Sequence, residues 1–556
     1  MASLRNIVLA LAVAVAHAAQ GSDSQKPIIQ KHGSSGNPLN GDIAKFVAES
    51  LSTWHVPGMA VGVIDGDHIY TEGYGYATLP DVRATADTLW YGASTSKAHT
   101  AALLSHLIHS GNHSAEFTLG WETPIASIVR EDFVLTDEWA TAHVTLNDAV
   151  SHRTGMGRHD LALHRERDGR PVAPRDVVRR LRHLAMTAEP RVRYSYCNLM
   201  YTTLGHVLET VTGVWLGEAL RTHLWAPLGM EATYFDTGDA LHAPEHFAGG
   251  YAWDEKRENY TAVDYMSVTD VSAAGAVISN VKDYAKWVKC LLDESAPFSN
   301  KTHADIRTPR MFVSAETEGG MDLSTYGLGW SRNIIHGHTV FQHSGGMHAY
   351  GAEVFWLPEI KFGIVAFGNT AVSSNFAELE VVYRLIEDKL NIPAKQRIDI
   401  RAKSMKTRDS MPTREQAIEN LFPNLPEKPQ LGSFDAGQLV GHYKDEGWGD
   451  VTFTVAEDED TGKTVLVGPR QDASFRHTFV LEHITGDYWL VQAAMIGNSR
   501  YTNTWLRAKF FAGVDGKPAG MELDTADGAD EPGDGVIQFT KIDQIATVRK
   551  GDSGPN

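Results

Sequence analysis

The stretch Leu89-Trp90-Tyr91-Gly92-Ala93-Ser94-Thr95-Ser96-Lys97 runs from apolar and aromatic residues into a helical pattern that continues to His109. On a helix, residues three apart share a face, so the Lys97 amine reaches the Ser94 hydroxyl. A serine hydroxyl is a weak nucleophile until a neighbouring base takes its proton. A lysine is such a base only when burial or nearby cations bring its pKa well below ~10.4. The free N–H groups of the helix N-terminus favour negative charge beside Ser94. The same spacing recurs at Ser279-Asn-Val-Lys282, where the serine reads as the cap of a helix containing Tyr284-Ala-Lys-Trp287. Spacing alone does not separate the two, and context has to.

Two further constellations supply that context. Tyr196-Cys197-Asn198 precedes Leu199-Met-Tyr-Thr-Thr-Leu204. A tyrosine there passes protons between nucleophile, leaving group and water, and Asn198 holds a substrate amide and orients Lys97. His343-Ser344-Gly345-Gly346 lies in a strand-like context. Its glycines let backbone approach a substrate, and the Gly346 N–H pairs with that of Ser94 as an oxyanion hole. The similar His109-Ser110-Gly111 reads as a helix end, where glycine is expected.

Outward from these motifs, Ile43 to Trp54 has helical spacing, Met59 to Ile64 reads as a buried strand, and His68 to Thr71 returns from the turn Asp65-Gly66-Asp67. Residues 120–240 mix helices and loops, with an arginine-rich run from Arg165 to Arg193 that reads as a solvated, acid-balanced face. Glu353 to Trp356 and Phe362 to Phe367 are strands, and Phe376 to Leu390 is a helix. Strands at both ends with helices between predict an α+β unit over residues 30–392, its antiparallel sheet drawn from both ends of the chain. Residues 393–430, with Pro412, Pro423, Pro426 and Pro429, read as a linker carrying one short helix. Residues 431–546 alternate in short strands between Gly/Asp turns and predict a small all-β barrel or sandwich.

Composition narrows the function classes. The 556 residues are 42% hydrophobic, which is enough for a large core and excludes wholesale disorder. Fifty basic against 69 acidic residues give a net charge of −19, which disfavours a nucleic-acid partner. Arg5, the apolar run Ile7–Ala16 and Ala16-His-Ala18 read as a signal peptide over residues 1–18, predicting secretion. No segment is long enough to span a membrane. Asn112, Asn259 and Asn300 head N-x-S/T sequons. Cys197 and Cys290 are compatible with one disulfide or two buried thiols.

Together the ordered motifs Ser94-x-x-Lys97, Tyr196-x-Asn198 and His343-x-Gly345 resemble the β-lactamase and penicillin-binding-protein-like serine hydrolases, in the branch with class C β-lactamases, esterases and D-aminopeptidases. The resemblance covers about residues 40–390. It includes the flanks Val56-Pro-Gly-Met-Ala60, Gly73-Tyr-Gly75 and Ser151-His-Arg-Thr-Gly155. It implies Ser94 as the acylated nucleophile, Lys97 as its activating partner, Tyr196 as proton shuttle, and Asn198, His343 and Gly345 as substrate contacts. The C-terminal segment resembles the lipocalin-like barrel appended to some of these hydrolases. His343 stands where many β-lactamases carry lysine, so neutral esters, amides or short peptides are expected as substrates, with no metal or organic cofactor. The family also contains acyltransferases, and a catalytically dead peptide-binding protein of the same fold is the rival from another class. No G-x-S-x-G elbow or H-E-x-x-H pattern supports an α/β-hydrolase or a zinc enzyme. His106, His109 and His113 read as surface or capping histidines.

Overall fold

The computed structural model describes residues 36–167, 169–315, 321–458, 461–495, 504–525 and 533–542, so the expected signal peptide lies outside the described residues. A nine-stranded antiparallel sheet organises the chain. Its order is Met311–Ser314, Met321–Tyr326, Ser331–Ile335, His338–Met347, Tyr350–Leu357, Phe362–Gly368, Gly58–Asp65, His68–Thr78, Val82–Arg83. The expected closure between chain ends is present: Met59 pairs with Gly368 and Asp65 with Phe362.

Strand Gly58–Asp65 is a near-continuous apolar run because both of its faces are covered. Met59, Val61 and Val63 pack with helices Gly41–Trp54 and Ser373–Lys389. Ala60 and Ile64 belong to the core on the opposite face, which also holds helices Ser96–Ser110 and Val281–Asp293. Helix Val281–Asp293 is capped by Asn280, whose side chain accepts from the Asp283 N–H. The cap is therefore one residue later than the expected Ser279.

Residues 393–430 hold a 3-10 turn, Ala394–Gln396, and two α-helices, Ile400–Ser410 and Arg414–Leu421, where one short helix is expected from the sequence. Both α-helices are fastened. Arg401 Nε donates to Glu380 at 2.9 Å, the carboxylate that also accepts from Trp54 Nε1 at 2.8 Å. Arg414 Nε donates to Glu482 of the following β unit at 2.7 Å.

That β unit is a closed eight-stranded antiparallel barrel running from Gly441–Asp445 to Val536–Ile542. Closure leaves it no free edge. Apolar packing continues unbroken from helices Ser96–Ser110 and Val281–Asp293 to barrel residues such as Tyr443, Trp448 and Phe453. No helix among the described residues is long and apolar enough to cross a membrane.

Candidate active site

Ser94 sits in a single 3-10 turn, Ala93–Thr95, immediately before helix Ser96–Ser110. Ala93 has φ +46°, a left-handed conformation that costs a residue with a Cβ about 1–3 kcal/mol and persists only where surroundings enforce it. They do so here. Thr95 Oγ1 donates to Gly92 O at 2.7 Å, Ser96 Oγ donates to Ala93 O at 2.6 Å, and Gly92 N–H donates to Val277 O at 2.8 Å. Ser94 alone in this turn is half-exposed, with its neighbours buried.

Lys97 is fully buried. Its Nζ lies 3.0 Å from Ser94 Oγ, 2.7 Å from Asn198 Oδ1 and 2.8 Å from Ala274 O. Burial drives its pKa well below the usual lysine value; the Asp160 carboxylate partly opposes this and the Arg158 guanidinium adds to it. The Tyr196 hydroxyl donates to Ser94 Oγ at 2.8 Å. Burial raises the Tyr196 phenol, so it remains protonated.

Asn198 opens helix Asn198–Thr212 and bridges two groups. Its Oδ1 accepts from Lys97, and its Nδ2 donates to Asp160 Oδ1 at 2.8 Å. Arg158 Nε in turn donates to Asp160 Oδ2 at 2.6 Å. The Cys197 N–H donates to His152 Nδ1 at 3.1 Å, seating the start of this helix. The Cys197 thiol is buried and pushed up to about 12, and both cysteines are free thiols.

Strand His338–Met347 brings the third motif alongside. Gly345 leaves so little room that a Cβ built there would lie 2.4 Å from Gly92 O, one residue before Ala93. His343 is buried; its Nδ1–H donates to Ser344 O at 2.7 Å and its Nε2 accepts from the Tyr326 hydroxyl at 3.0 Å. Burial, aided by Lys97, pushes its pKa down to about 3, so the imidazole is neutral at physiological pH. Behind the strand, Ser344 Oγ donates to Glu353 Oε2 at 2.8 Å, and Asn375 Nδ2 donates to Gly345 O at 2.9 Å.

Ser94, Tyr196, Asn198, His343, Gly345 and Gly346 all line one cavity of about 700 Å³. Lys97 stands behind Ser94. Arg158, Asp160, Tyr326 and Glu353, which the motifs did not single out, line the same space, as do Phe475, Met495 and Thr504 of the barrel. Asp160 follows closely on the Ser151–Gly155 flank, but a lone Arg-His-Asp has no spacing that marks it. The barrel residues carry no local signal. Elsewhere, His109 Nε2 pairs with Asp305 at 2.8 Å, and the sequon residues Asn112, Asn259 and Asn300 are exposed.

This arrangement has known relatives. Residues 43–387 match the family model described as Beta-lactamase. "Unguisins hydrolase ungD'" of Aspergillus campestris is 34% identical over 496 residues, covering 88% of this chain and 90% of that protein. "Unguisins hydrolase ungD" of Aspergillus violaceofuscus is 35% identical over 480 residues, covering 83% and 84%. Among solved structures, the octameric penicillin-binding protein homologue from Pyrococcus abyssi superposes with TM-score 0.56 at 19% identity, covering 90% of this chain and 99% of that one. The D-amino acid amidase from Ochrobactrum anthropi SV3 gives 0.53 at 19%, covering 64% and 99%. The two structural likenesses establish the fold, and the family match together with the Aspergillus relatives places this chain in the beta-lactamase family of serine hydrolases.

Proposed function

We propose that the protein is an exported hydrolase that cleaves an amide or ester bond through a Ser94 acyl-enzyme, with a peptide or amino-acid amide as the preferred substrate class. The observation that carries this reading is the set of contacts around Lys97. A neutral amine has two N–H bonds and one lone pair. Asn198 Oδ1 and Ala274 O take the two N–H bonds, which leaves the lone pair for the Ser94 hydroxyl 3.0 Å away.

Ser94 Oγ then attacks the carbonyl carbon while its proton passes to Lys97 Nζ. The displaced π electrons settle on the carbonyl oxygen, which the N–H groups of Ser94 and Gly346 hold. Collapse of this intermediate breaks the bond to the leaving amine or alcohol. That group takes a proton from the Tyr196 hydroxyl, and the proton that Lys97 Nζ took from Ser94 returns to the Tyr196 oxygen. Water repeats the sequence against the acyl-enzyme and frees Ser94.

Neutral His343 offers no fixed cation to a substrate carboxylate, which favours uncharged amides and esters over penicillin-like acids. The named activities of the relatives, unguisins hydrolysis and D-amino acid amide hydrolysis, support amide cleavage. The Ala16-His-Ala18 cleavage pattern and three exposed sequons support export.

A fluorophosphonate probe should label Ser94, and Ser94→Ala should abolish labelling. Turnover should then be compared for an unguisin, D-phenylalanine amide, a p-nitrophenyl ester and a chromogenic cephalosporin. A clear preference for the cephalosporin would overturn the reading of His343.

A further inference from the structure

The catalytic layers alone do not enclose the cavity beside Ser94. Phe475, Met495 and Thr504 complete its wall, and all three come from one rim of the barrel. Phe475 lies between strands Thr464–Arg470 and His477–Thr485. Met495 ends the next strand, and Thr504 begins the one after. His477 pairs with Met495, and Ala493 pairs with Thr504, so Met495 lies on the strand adjacent to the one that Phe475 leads into, and Thr504 on the strand beyond it.

The connection that carries Phe475 is tied to the catalytic unit along its length. The Ser474 N–H donates to Leu163 O at 3.0 Å, and the Ser474 hydroxyl donates to the Asp270 carboxylate. The Arg165 N–H donates to Asp472 O at 3.0 Å, and Arg476 pairs with Asp264 at 3.3 Å. The Phe475 ring meets the His348 ring edge-on, with centroids 5.6 Å apart, directly beyond Met347 of the third-motif strand. A wall held at this many points is in place before substrate arrives, so ordering it costs binding little.

The lining combines polar Arg158, Asp160 and Tyr196 with the apolar side chains of Phe475, Met495, Met347 and Val271. The cavity is in the size range of drug-sized ligands, larger than a single amino-acid amide requires.

We propose that Phe475, backed by Met495, determines specificity: the barrel rim selects peptide substrates that place a large apolar side chain against it, one or more residues away from the scissile carbonyl. The proposal rests on the Ser94 hydrolase reading and names the substrate class of that site. One methylene group in such a pocket discriminates by roughly 10–200-fold, so a whole aromatic or leucine side chain gives a preference of tenfold or more.

The experiment measures kcat and KM on two series of peptide p-nitroanilides identical except for alanine or phenylalanine at each position flanking the reacting residue. The full-length protein should prefer phenylalanine at one position at least tenfold. In Phe475→Ala the preference should fall at least fivefold, through a higher KM for the phenylalanine peptide. Phe475→Leu should retain most of it. Val514→Ala, in the turn at the opposite rim, should leave the ratio unchanged. An equal loss on both peptides, an unaltered ratio in Phe475→Ala, or no preference in the unmodified protein overturns the proposal. Fluorophosphonate labelling of Ser94 in every variant separates the two failures. If the unmodified protein is not labelled, the hydrolase reading has failed. If labelling is intact without discrimination, only the role of Phe475 has failed.

Discussion

Asp534, just before the last barrel strand, accepts a hydrogen bond at 2.7 Å from the backbone N–H of His159, the residue between Arg158 and Asp160. Asp160 is in turn the acceptor for Asn198 Nδ2, and Asn198 Oδ1 holds Lys97. The barrel therefore anchors the turn that holds Asn198 and, through it, Lys97.

Asp534→Ala leaves the His159 N–H without its partner in a largely buried place, which costs about 1–3 kcal/mol. The expected result is a lower melting temperature and roughly tenfold lower kcat on a small ester, with little change in KM. Asp534→Asn, whose amide oxygen accepts the same bond, should recover most of both losses. A kcat unaltered in Asp534→Ala would show that the turn needs no such anchor.

Lys97 acts as a base only when neutral, and burial places its pKa well below the ordinary lysine value. Acylation should therefore fall as pH drops through that depressed pKa and be flat above it. Lys97→Ala should lose 10²–10⁴-fold in kcat/KM, the usual worth of a general base. Lys97→Arg, charged throughout, should be inactive at every pH up to 10. Activity in Lys97→Ala within tenfold of the unmodified protein would remove the lysine from the mechanism.

Gly345 and Gly346 are adjacent but should respond oppositely to alanine. At Gly345 the added Cβ meets Gly92 O at 2.4 Å, which forces the third-motif strand away from the Ser94 turn. Gly345→Ala should cost about 1–3 kcal/mol of stability, as overpacking does, and most of the activity. At Gly346 a Cβ meets nothing within 4 Å, so Gly346→Ala should fold normally. Paired thermal melts and ester assays test the contrast.

Glu353 is buried behind the third motif, and burial pushes its carboxyl up to about 7. The folded state favours the protonated acid, so its contribution to stability is complete below the ordinary glutamate pKa near 4.5. That contribution is lost as pH rises through about 7. Glu353→Gln, which keeps its acceptor oxygen but cannot ionise, should gain on the unmodified protein by a few kcal/mol between pH 4.5 and 8. Chemical denaturation across that range measures it, and a constant difference would contradict the burial argument.

The elements whose signals are local were readable: the helices after Asn40 and Ser94, the strands Gly58–Asp65 and Phe362–Gly368, and three motifs that meet at one cavity. Residues whose role depends on distant partners were not. Asp160 matters because Asn198, 38 positions later, reaches it. Strand His68–Thr78 extends past the expected Thr71 through Gly73 and Gly75, which interrupt alternation. Gly75 has φ +68°, and a Cβ at Gly73 would strike Ala84 backbone at 2.4 Å. From sequence the arginine-rich run reads as a solvated, acid-balanced face. Arg175 and Arg179 instead pair with Asp132, and Arg180 is buried, donating to Gly447 O of the barrel.

The pairing of Gly58–Asp65 with Phe362–Gly368 has a consequence for biosynthesis. About 300 residues separate the two strands. At roughly 5–20 residues per second, the first strand waits some 15–60 s on the ribosome before its neighbour emerges. During that interval one apolar edge stays open to foreign chains, the situation that recruits chaperones. A message cut short anywhere between Asp65 and Phe362 yields no smaller enzyme, only a product with an unpaired strand destined for aggregation or degradation.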